Sequence, residues 1–207
     1  MTCFIFAAGS FYGLVERPQP GDLIIAADAG YRCCAGLGLR PDIVVGDFDS
    51  MPAPAGETLL RLPVEKDDTD TLYAMRVGLE RGFRDFVLYG GTGGSRRDHT
   101  LANWQSLLFL ASRGARGRMY GDGVLWCVLK NERMLFPASM RGTLSLFCLD
   151  GEARGVSLRG LKYKLDKALL RSDFPLGVSN SFVGQEASVE VEDGTLLMMY
   201  EIQEGCP

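Results

Sequence analysis

Two aspartates stand two positions apart, directly after a short apolar run. The run, residues 43–45, is typical of a strand buried on both faces, and Gly46 ends it before Asp47 and Asp49. Residues i and i+2 of an extended segment point to the same side, so the two carboxylates repel each other unless a cation lies between them. Hard cations such as Mg²⁺ take oxygen ligands and are often shared with phosphates. The spacing therefore indicates a metal site, with an ordinary acidic turn as the alternative.

A third carboxylate follows another apolar strand. Residues 23–27 predict a strand, and Asp28 comes directly after it. Ligands of open α/β sheets bind beyond the carboxyl ends of the strands, so Asp28 lies near the first pair if the two strands are neighbours. The alternative is that Asp28 caps a helix predicted over residues 30–37.

A charged segment, residues 65–71, precedes a helix predicted over residues 71–81. Such a cluster is usually a solvated loop. Its place before a helix favours a second interpretation, in which Thr69 or Asp70 caps the helix. The segment also contains Lys66, a residue type that binds phosphate as a point charge.

A glycine-rich loop follows the strand predicted over residues 85–89. Four of the five residues 90–94 are glycine, which lets the backbone approach a ligand and point N–H groups at it. The loop is neither a Walker A motif nor a dinucleotide-binding fingerprint. It leads to a helix that ends at Arg113, where Asp98 is either the N-cap or a further carboxylate of the same sheet edge. His99 is the only histidine, and a lone histidine at a helix start is more often structural than catalytic.

Composition excludes several classes of protein. The net charge is −4 with no basic block, which disfavours a nucleic-acid partner. No apolar run approaches the ~20 residues of a membrane span, and the apolar start lacks the basic region of a signal peptide. The six cysteines form no Cys-x-x-Cys pair, so a zinc site is not expected and the pattern favours free thiols in a reducing cytosol.

The pattern changes after Gly114. Helical periodicity ends and turn signals separate short alternating strands, predicted at 117–120, 124–130, 133–136, 143–149, 153–159, 187–191 and 195–202. We therefore expect an α/β domain with a mostly parallel sheet over residues 1–121, followed by an all-β sandwich or roll over residues 122–207.

Taken in order, six motifs resemble the thiamine pyrophosphokinase family over nearly the whole chain. Each is weak alone, and their order and spacing are specific. They are Ala-Asp-Ala-Gly at 27–30, Gly-Asp-Phe-Asp-Ser at 46–50, Glu-Lys-Asp-x-Thr-Asp at 65–70, the glycine loop through Arg-Asp-His-Thr-Leu-x-Asn at 90–103, Gly-Leu-Lys-Tyr-x-Leu at 160–165 and Gly-Val-Ser-Asn-Ser-Phe at 177–182. One departure lies at Ala29, where many relatives have a second glycine.

The resemblance implies a Rossmann-like catalytic domain that binds ATP and Mg²⁺, and a β-sandwich domain for thiamine binding and dimerisation. It also implies a cytoplasmic homodimer with shared active sites, which transfers the pyrophosphoryl group of ATP to the hydroxyl of thiamine. The expected Mg²⁺ ligands are Asp28, Asp47, Asp49 and Asp70. Phosphate oxygens are expected to bind Lys66, Gly91, Thr92, Gly93, Gly94 and Arg97. Asp98 is expected to orient the thiamine hydroxyl or accept its proton, with metal ligation as the alternative.

The expected thiamine contacts lie in the β-domain. Tyr163 is placed to stack on the aminopyrimidine, and Ser179 and Asn180 to hydrogen-bond its edge. The alternatives are ordinary packing for Tyr163 and a plain turn for the other two. Two other functions stay open: a pyrophosphokinase that acts on another heterocyclic alcohol such as a pterin, and a thiamine or nucleotide sensor without catalysis.

Overall fold

The computed structural model describes residues 1–46, 58–61 and 67–202, and the chain divides into two compact units, Met1–Asp122 and Gly123–Pro207. The predicted metal ligands Asp47 and Asp49 and the predicted phosphate ligand Lys66 lie outside the described residues. None of the described helices is both long and apolar enough to cross a lipid bilayer.

The described part of the first unit contains six strands and three helices. The strands are β1 (Cys3–Phe6), β2 (Leu23–Ala27), β3 (Ile43–Gly46), β4 (Leu59–Arg61), β5 (Asp85–Tyr89) and β6 (Arg116–Gly121). The helices are α1 (Gly30–Gly36), α2 (Asp70–Glu80) and α3 (Arg97–Ser112). β2 and β5 have the predicted bounds, and the ends predicted for β3, β6 and the three helices are each within one residue of those observed.

The sheet of the first unit is parallel throughout, in the order β6-β5-β1-β2-β3-β4. The chain moves outward from β1 to β4 and then returns to the opposite side of β1 with β5 and β6. The strand order therefore reverses between β1 and β5. In open α/β sheets, the crevice beyond the carboxyl ends at such a reversal is where ligands bind.

Apolar strand sequences and helices explain why this sheet is buried. Phe4, Val44 and Val87 are all at most 2% exposed, as expected for parallel strands covered on both faces. The helix α2 packs against the sheet closely at Gly78, where a Cβ atom would lie 2.6 Å from the Phe86 ring and 2.9 Å from the Cys3 sulfur. Burial raises the pKa of the Cys3 thiol to about 12, and no disulfide links the described cysteines.

The second unit contains two sets of four antiparallel strands, in the orders β12-β9-β14-β7 and β11-β10-β13-β8. Both sets contribute fully buried residues, such as Leu144 and Leu196 from the first and Val156 and Val189 from the second. The strands are β7 (Val124–Lys130), β8 (Arg133–Phe136), β9 (Thr143–Cys148), β10 (Glu152–Arg159), β11 (Leu165–Arg171), β12 (Asn180–Ser181), β13 (Ala187–Glu190) and β14 (Thr195–Glu201). The predicted mixed α/β class, with a large parallel sheet and a later antiparallel part, is confirmed.

Two strands of this unit, β11 and β12, were not predicted. β11 pairs with β10 through shifted register, and its Lys167 has a left-handed φ of 46°, so its side chains do not alternate regularly. β12 has two residues, which is too short to give a periodic pattern.

Candidate functional site

A cavity of about 280 Å³ lies at the carboxyl edge of the parallel sheet, where β1 and β5 end. This is the point at which the strand order reverses. Its volume is close to the ~300 Å³ at which ligand pockets begin. It is lined by Ala7, Ala8, Gly9, Ala27, Asp28, Thr69, Asp70, Thr71, Gly90, Gly91, Gly93, Gly94, Ser95, Arg96, His99, Thr100 and Asn103.

The glycine loop forms one wall, and its glycines are required by close backbone contact. The N–H of Gly9 donates to the carbonyl of Gly90 at 2.8 Å, and the N–H of Ser10 donates to that of Thr92 at 2.9 Å. A Cβ atom on Gly90 would lie 2.3 Å from the carbonyl oxygen of Ala7, and its φ of 68° also favours glycine. Of the predicted phosphate-binding residues, Gly91, Gly93 and Gly94 line the cavity, whereas Thr92 and Arg97 do not.

A buried amide from α3 fixes the loop from behind. The Asn103 side chain is 5% exposed, and its Nδ2 donates to the carbonyl oxygen of Gly91 at 2.8 Å. Asn103 belongs to one of the family motifs, but no role is predicted for it from the sequence. The structure assigns it a positioning role, because a buried carbonyl needs a hydrogen-bond donor.

Two of the predicted metal ligands, Asp28 and Asp70, are brought together at this cavity. The N–H of Asp28 donates to the carbonyl of Val45 at 2.7 Å, which attaches Asp28 to the end of β3. Asp28 has a left-handed φ of 51°, a conformation that Asp tolerates better than most residues. Asp70 opens α2, directly after Thr69, whose hydroxyl accepts from the N–H of Leu72 at 3.2 Å.

The helix caps refine the predictions for these residues. Thr69 is the N-cap of α2, as predicted. The alternative of a capping role for Asp28 is wrong, since Ala29 is the N-cap of α1 and makes no side-chain cap bond. Ala29 has a right-handed φ of −61°, so no glycine is needed there. Gly30 does need to be glycine, because a Cβ atom would lie 1.8 Å from the carbonyl oxygen of Phe6.

The donor set fits a hard cation in part. Carboxylate oxygens are what Mg²⁺ prefers, and two carboxylates line one cavity. Within residues 1–46, 58–61 and 67–202, no group of three or more metal-ligating side chains occurs. The described chain thus supplies Asp28 and Asp70, and the two remaining predicted ligands lie outside it.

Asp98 does not line the cavity, although Arg96 and His99 do. Arg96 donates to both Asp98 carboxylate oxygens, with Nε–Oδ1 and Nη2–Oδ2 distances of 3.0 and 2.8 Å. These hydrogen bonds lower the pKa of Asp98 to about 2, which makes the carboxylate a weak proton acceptor. Of the alternatives left open for Asp98, the N-cap role is wrong, since Arg96 is the N-cap position of α3.

Two further lining residues extend the set that the sequence singled out. His99, expected to be structural, is exposed at the cavity with a ring nitrogen 2.7 Å from Arg96 Nη2. Arg96 itself was not assigned a role from sequence. Its adjacency to the glycine loop places a permanent positive charge at the cavity.

In the second unit, two of the three predicted thiamine residues, Tyr163 and Asn180, are joined by hydrogen bonds. Asn180 is 3% exposed; its Oδ1 accepts from the N–H of Tyr163 at 2.9 Å, and its Nδ2 donates to the Tyr163 carbonyl at 2.7 Å. Tyr163 is 58% exposed, so ordinary core packing does not explain it. Ser179 has a left-handed φ of 61° and its N–H donates to Ser145 Oγ at 3.0 Å, which is a turn geometry.

Comparisons with known proteins give a consistent family. Residues 19–116 match the family model described as thiamin pyrophosphokinase, catalytic domain, and residues 130–196 match the one described as thiamin pyrophosphokinase, vitamin B1 binding domain. No curated protein sequence matches the chain significantly.

Solved structures resemble the chain over its whole length. The thiamine pyrophosphokinase of Bacillus subtilis is 23% identical with a TM-score of 0.87, and the alignment covers 98% of this chain and 100% of that one. The enzyme of Geobacillus thermodenitrificans is 24% identical with a TM-score of 0.84 and full coverage of both chains. A family protein from Enterococcus faecalis is 25% identical with a TM-score of 0.81, covering 98% of this chain and 99% of that one. The two family models together span most of the sequence, and the chain belongs to the thiamine pyrophosphokinase family.

Proposed function

We propose that this protein transfers the pyrophosphoryl group of ATP to the hydroxyl of thiamine, giving thiamine diphosphate and AMP. One observation carries the proposal. The chain matches the models of both family domains, and its cavity at the strand-order reversal is lined by two carboxylates and a glycine loop. This is an arrangement suited to a phosphate chain.

The reaction needs positioning more than covalent chemistry. The thiamine hydroxyl oxygen forms a bond to the β-phosphorus, and the bond from that phosphorus to the oxygen bridging to the α-phosphorus breaks. The bridging oxygen leaves with AMP, and the hydroxyl proton is released. Backbone N–H groups of residues 91–94 are proposed to bind the phosphate oxygens, together with the Lys66, Arg96 and Arg97 side chains.

We propose that Asp28, Asp47, Asp49 and Asp70 together hold Mg²⁺. The bound cation supplies charge neutralisation of the phosphate chain. The placement of Asp28 and Asp70 at one cavity supports this ligand set. Asp98 stays a proposed orienting group for the hydroxyl, and its pairing with Arg96 makes orientation a better role than proton acceptance.

The two units are proposed to bind different substrates. Residues 1–121 would form a Rossmann-like domain for ATP and Mg²⁺, supported by the parallel order of the sheet. Residues 122–207 would form a β-sandwich for thiamine binding and dimerisation, supported by the two antiparallel sheets. Tyr163 would stack on the aminopyrimidine, with Ser179 at its edge and Asn180 holding the Tyr163 backbone in place.

A cytoplasmic homodimer with shared active sites is proposed from the same family. Apolar side chains left exposed in the second unit support an interface there: Phe174 is 63%, Val183 50% and Leu176 45% exposed. The absence of disulfides among the described cysteines agrees with a reducing compartment. Mixing Asp70→Asn and Tyr163→Ala protomers tests sharing, because mixed dimers should regain one working site. Monomers by sedimentation would contradict the proposal.

A substrate test separates the proposed function from its alternatives. The protein is incubated with ATP and Mg²⁺ and either thiamine or a hydroxymethyl pterin, and AMP release is measured. Release with thiamine alone, lost in Asp70→Asn, supports the proposal. Release with the pterin alone indicates the other pyrophosphokinase, and thiamine binding without AMP release indicates a sensor.

A further inference from the structure

We infer that a hydrogen-bonded network around Tyr89 and Glu16, outside the cavity, positions the glycine loop and thereby sets the affinity for ATP. The inference rests on the proposed function, in which that loop binds the phosphate chain. We call residues 7–16 the strap. It leaves the end of β1, contacts the glycine loop at one end and is held by the network at the other.

The first anchor of the strap is the Tyr89 hydroxyl. It accepts from the N–H of Val15 at 3.1 Å and of Glu16 at 2.7 Å, and it donates to the Glu16 carbonyl oxygen at 3.0 Å. The Tyr89 ring is 1% exposed and stacks between Phe6 and Tyr120, with ring centroids 5.4 and 5.5 Å away. A ring packed on both faces holds its hydroxyl at one place.

The second anchor is the Glu16 carboxylate. It accepts from Arg118 Nε at 2.8 Å and Nη2 at 3.1 Å, and from the Tyr120 hydroxyl at 2.6 Å. Arg118 Nη1 also donates to Asp85 Oδ1 at 2.8 Å, which ties the network to the start of β5. The Glu16 and Arg118 side chains are 27% and 28% exposed, so solvent screens this forked pair less than an open surface pair.

The other end of the strap packs tightly against the glycine loop. Beyond the two backbone hydrogen bonds already described, a Cβ atom on Gly9 would lie 2.5 Å from the Gly90 carbonyl oxygen. One on Gly93 would lie 2.5 Å from both Ser10 Oγ and Tyr12 Oη. These close contacts therefore couple the position of the glycine loop to that of the strap.

These contacts make Tyr89 and Glu16 positioning residues. Neither lines the cavity, and both act through the strap on residues that do. A displacement of the loop weakens phosphate binding in the ground state and in the transition state alike. The expected signature is therefore a raised KM for ATP, with kcat and the KM for thiamine little changed.

The test compares Tyr89→Phe, Glu16→Gln and Glu16→Ala with a matched control. Tyr89→Phe removes only the hydroxyl, and we expect its ATP KM to rise about tenfold. Glu16→Ala should raise it at least as much, with Glu16→Gln between Glu16→Ala and the wild type. The control is Glu152→Gln, which also removes a carboxylate paired with arginine, here with Arg154 and Arg171 in the other unit. It should leave the ATP KM within twofold.

Two readouts separate positioning from a loss of folding. The hydrogen-exchange rate of the strap amides should rise in Tyr89→Phe and not in Glu152→Gln. Amides in the rest of the protein should keep their protection from exchange in both variants. Equilibrium dialysis of ATP with Mg²⁺ and no thiamine should show the same tenfold loss as the KM. Should Tyr89→Phe fold poorly, Tyr120→Phe replaces it, since it removes one bond to Glu16 alone and should give a smaller rise.

The outcomes distinguish the inference from the function on which it rests. Wild-type protein that binds ATP while the variants bind it equally well would overturn the inference and leave the function intact. Wild-type protein that does not bind ATP would overturn both. A fall in the apparent kcat in proportion to the folded fraction, with both KM values unchanged, would reduce the network to a structural role and also overturn the inference.

Discussion

The Asn103 amide reaches across from α3 to the carbonyl oxygen of Gly91, which it contacts at 2.8 Å within a buried environment. The residue that donates this bond and the residue that accepts it both line the candidate site. The glycine loop is thus held by a helix side chain as well as by the strap.

Replacing this amide should affect stability and ATP binding together. Asn103→Ala leaves the Gly91 carbonyl without its donor, and we expect a loss of about 1–3 kcal/mol in the free energy of unfolding. The KM for ATP should rise as the loop loosens. Urea unfolding and steady-state kinetics measure the two effects. Gln105→Ala, an exposed change on the same helix, is the control, and equal effects from both variants would contradict the role of Asn103.

Two substitutions of Asp28 distinguish the effect of its charge from the effect of its backbone conformation. Its φ of 51° is tolerated by Asn but not by Ala, so Asp28→Asn should keep the melting temperature, whereas Asp28→Ala should lose about 1 kcal/mol. Both should lose most activity, because each removes a carboxylate from the cavity. Calorimetry and AMP release check this. Wild-type turnover in Asp28→Asn would contradict a metal-binding role.

The pairing of Arg96 with Asp98 has a pH signature. The folded pKa of Asp98, about 2, lies below the ~3.9 of a free aspartate, so any stabilisation from the pair is present above pH ~4. It is lost as the pH falls through the folded pKa. Arg96→Met should raise the Asp98 pKa toward ~3.9, measured by NMR titration of its carboxyl carbon. Arg97→Met is the control and should leave the value unchanged. An unshifted pKa in Arg96→Met would contradict the pairing.

Substitutions of the predicted thiamine residues should affect the thiamine KM and the free energy of unfolding to different extents. Tyr163 is largely exposed, so Tyr163→Ala should change the free energy of unfolding by less than about 0.5 kcal/mol. Its thiamine KM should rise roughly ten- to a hundredfold, as expected for lost stacking of ~1–3 kcal/mol, with the ATP KM unchanged. Asn180→Ala should raise the thiamine KM and also destabilise the protein by about 1–3 kcal/mol, since three buried contacts are lost.

An exposed apolar control completes that experiment. Leu135 is 70% exposed on β8 of the same unit, and Leu135→Ala should alter neither substrate's KM. A Tyr163→Ala variant that is destabilised and affected equally in both KM values would favour the packing alternative instead.

Local sequence patterns predicted the scaffold well because they follow local rules. Continuous apolar runs identified β2 and β3 as buried strands, and the capping residue types at positions 69 and 70 identified the start of α2. From these, the meeting of Asp28, Asp70 and the glycine loop at one sheet edge follows from topology alone.

The remainder depends on contacts and irregularities that no local sequence pattern encodes. Nothing around Glu16 indicates that it pairs with Arg118, because the two are 102 positions apart. The Asp98 side chain pairs with Arg96 and does not enter the cavity, and no periodicity in the sequence predicts this side-chain orientation. β11 escaped prediction because its bulges disrupt the alternation on which strand prediction depends.

The central claim is that a pyrophosphoryl group, rather than a single phosphoryl group, is transferred to thiamine. Phosphorus NMR of a reaction containing ATP, Mg²⁺ and thiamine tests it most directly, because it identifies both products at once. We predict thiamine diphosphate and AMP in equal amounts, and no reaction in Asp70→Asn. Formation of ADP with thiamine monophosphate, or ATP consumption that leaves thiamine unchanged, would contradict the account.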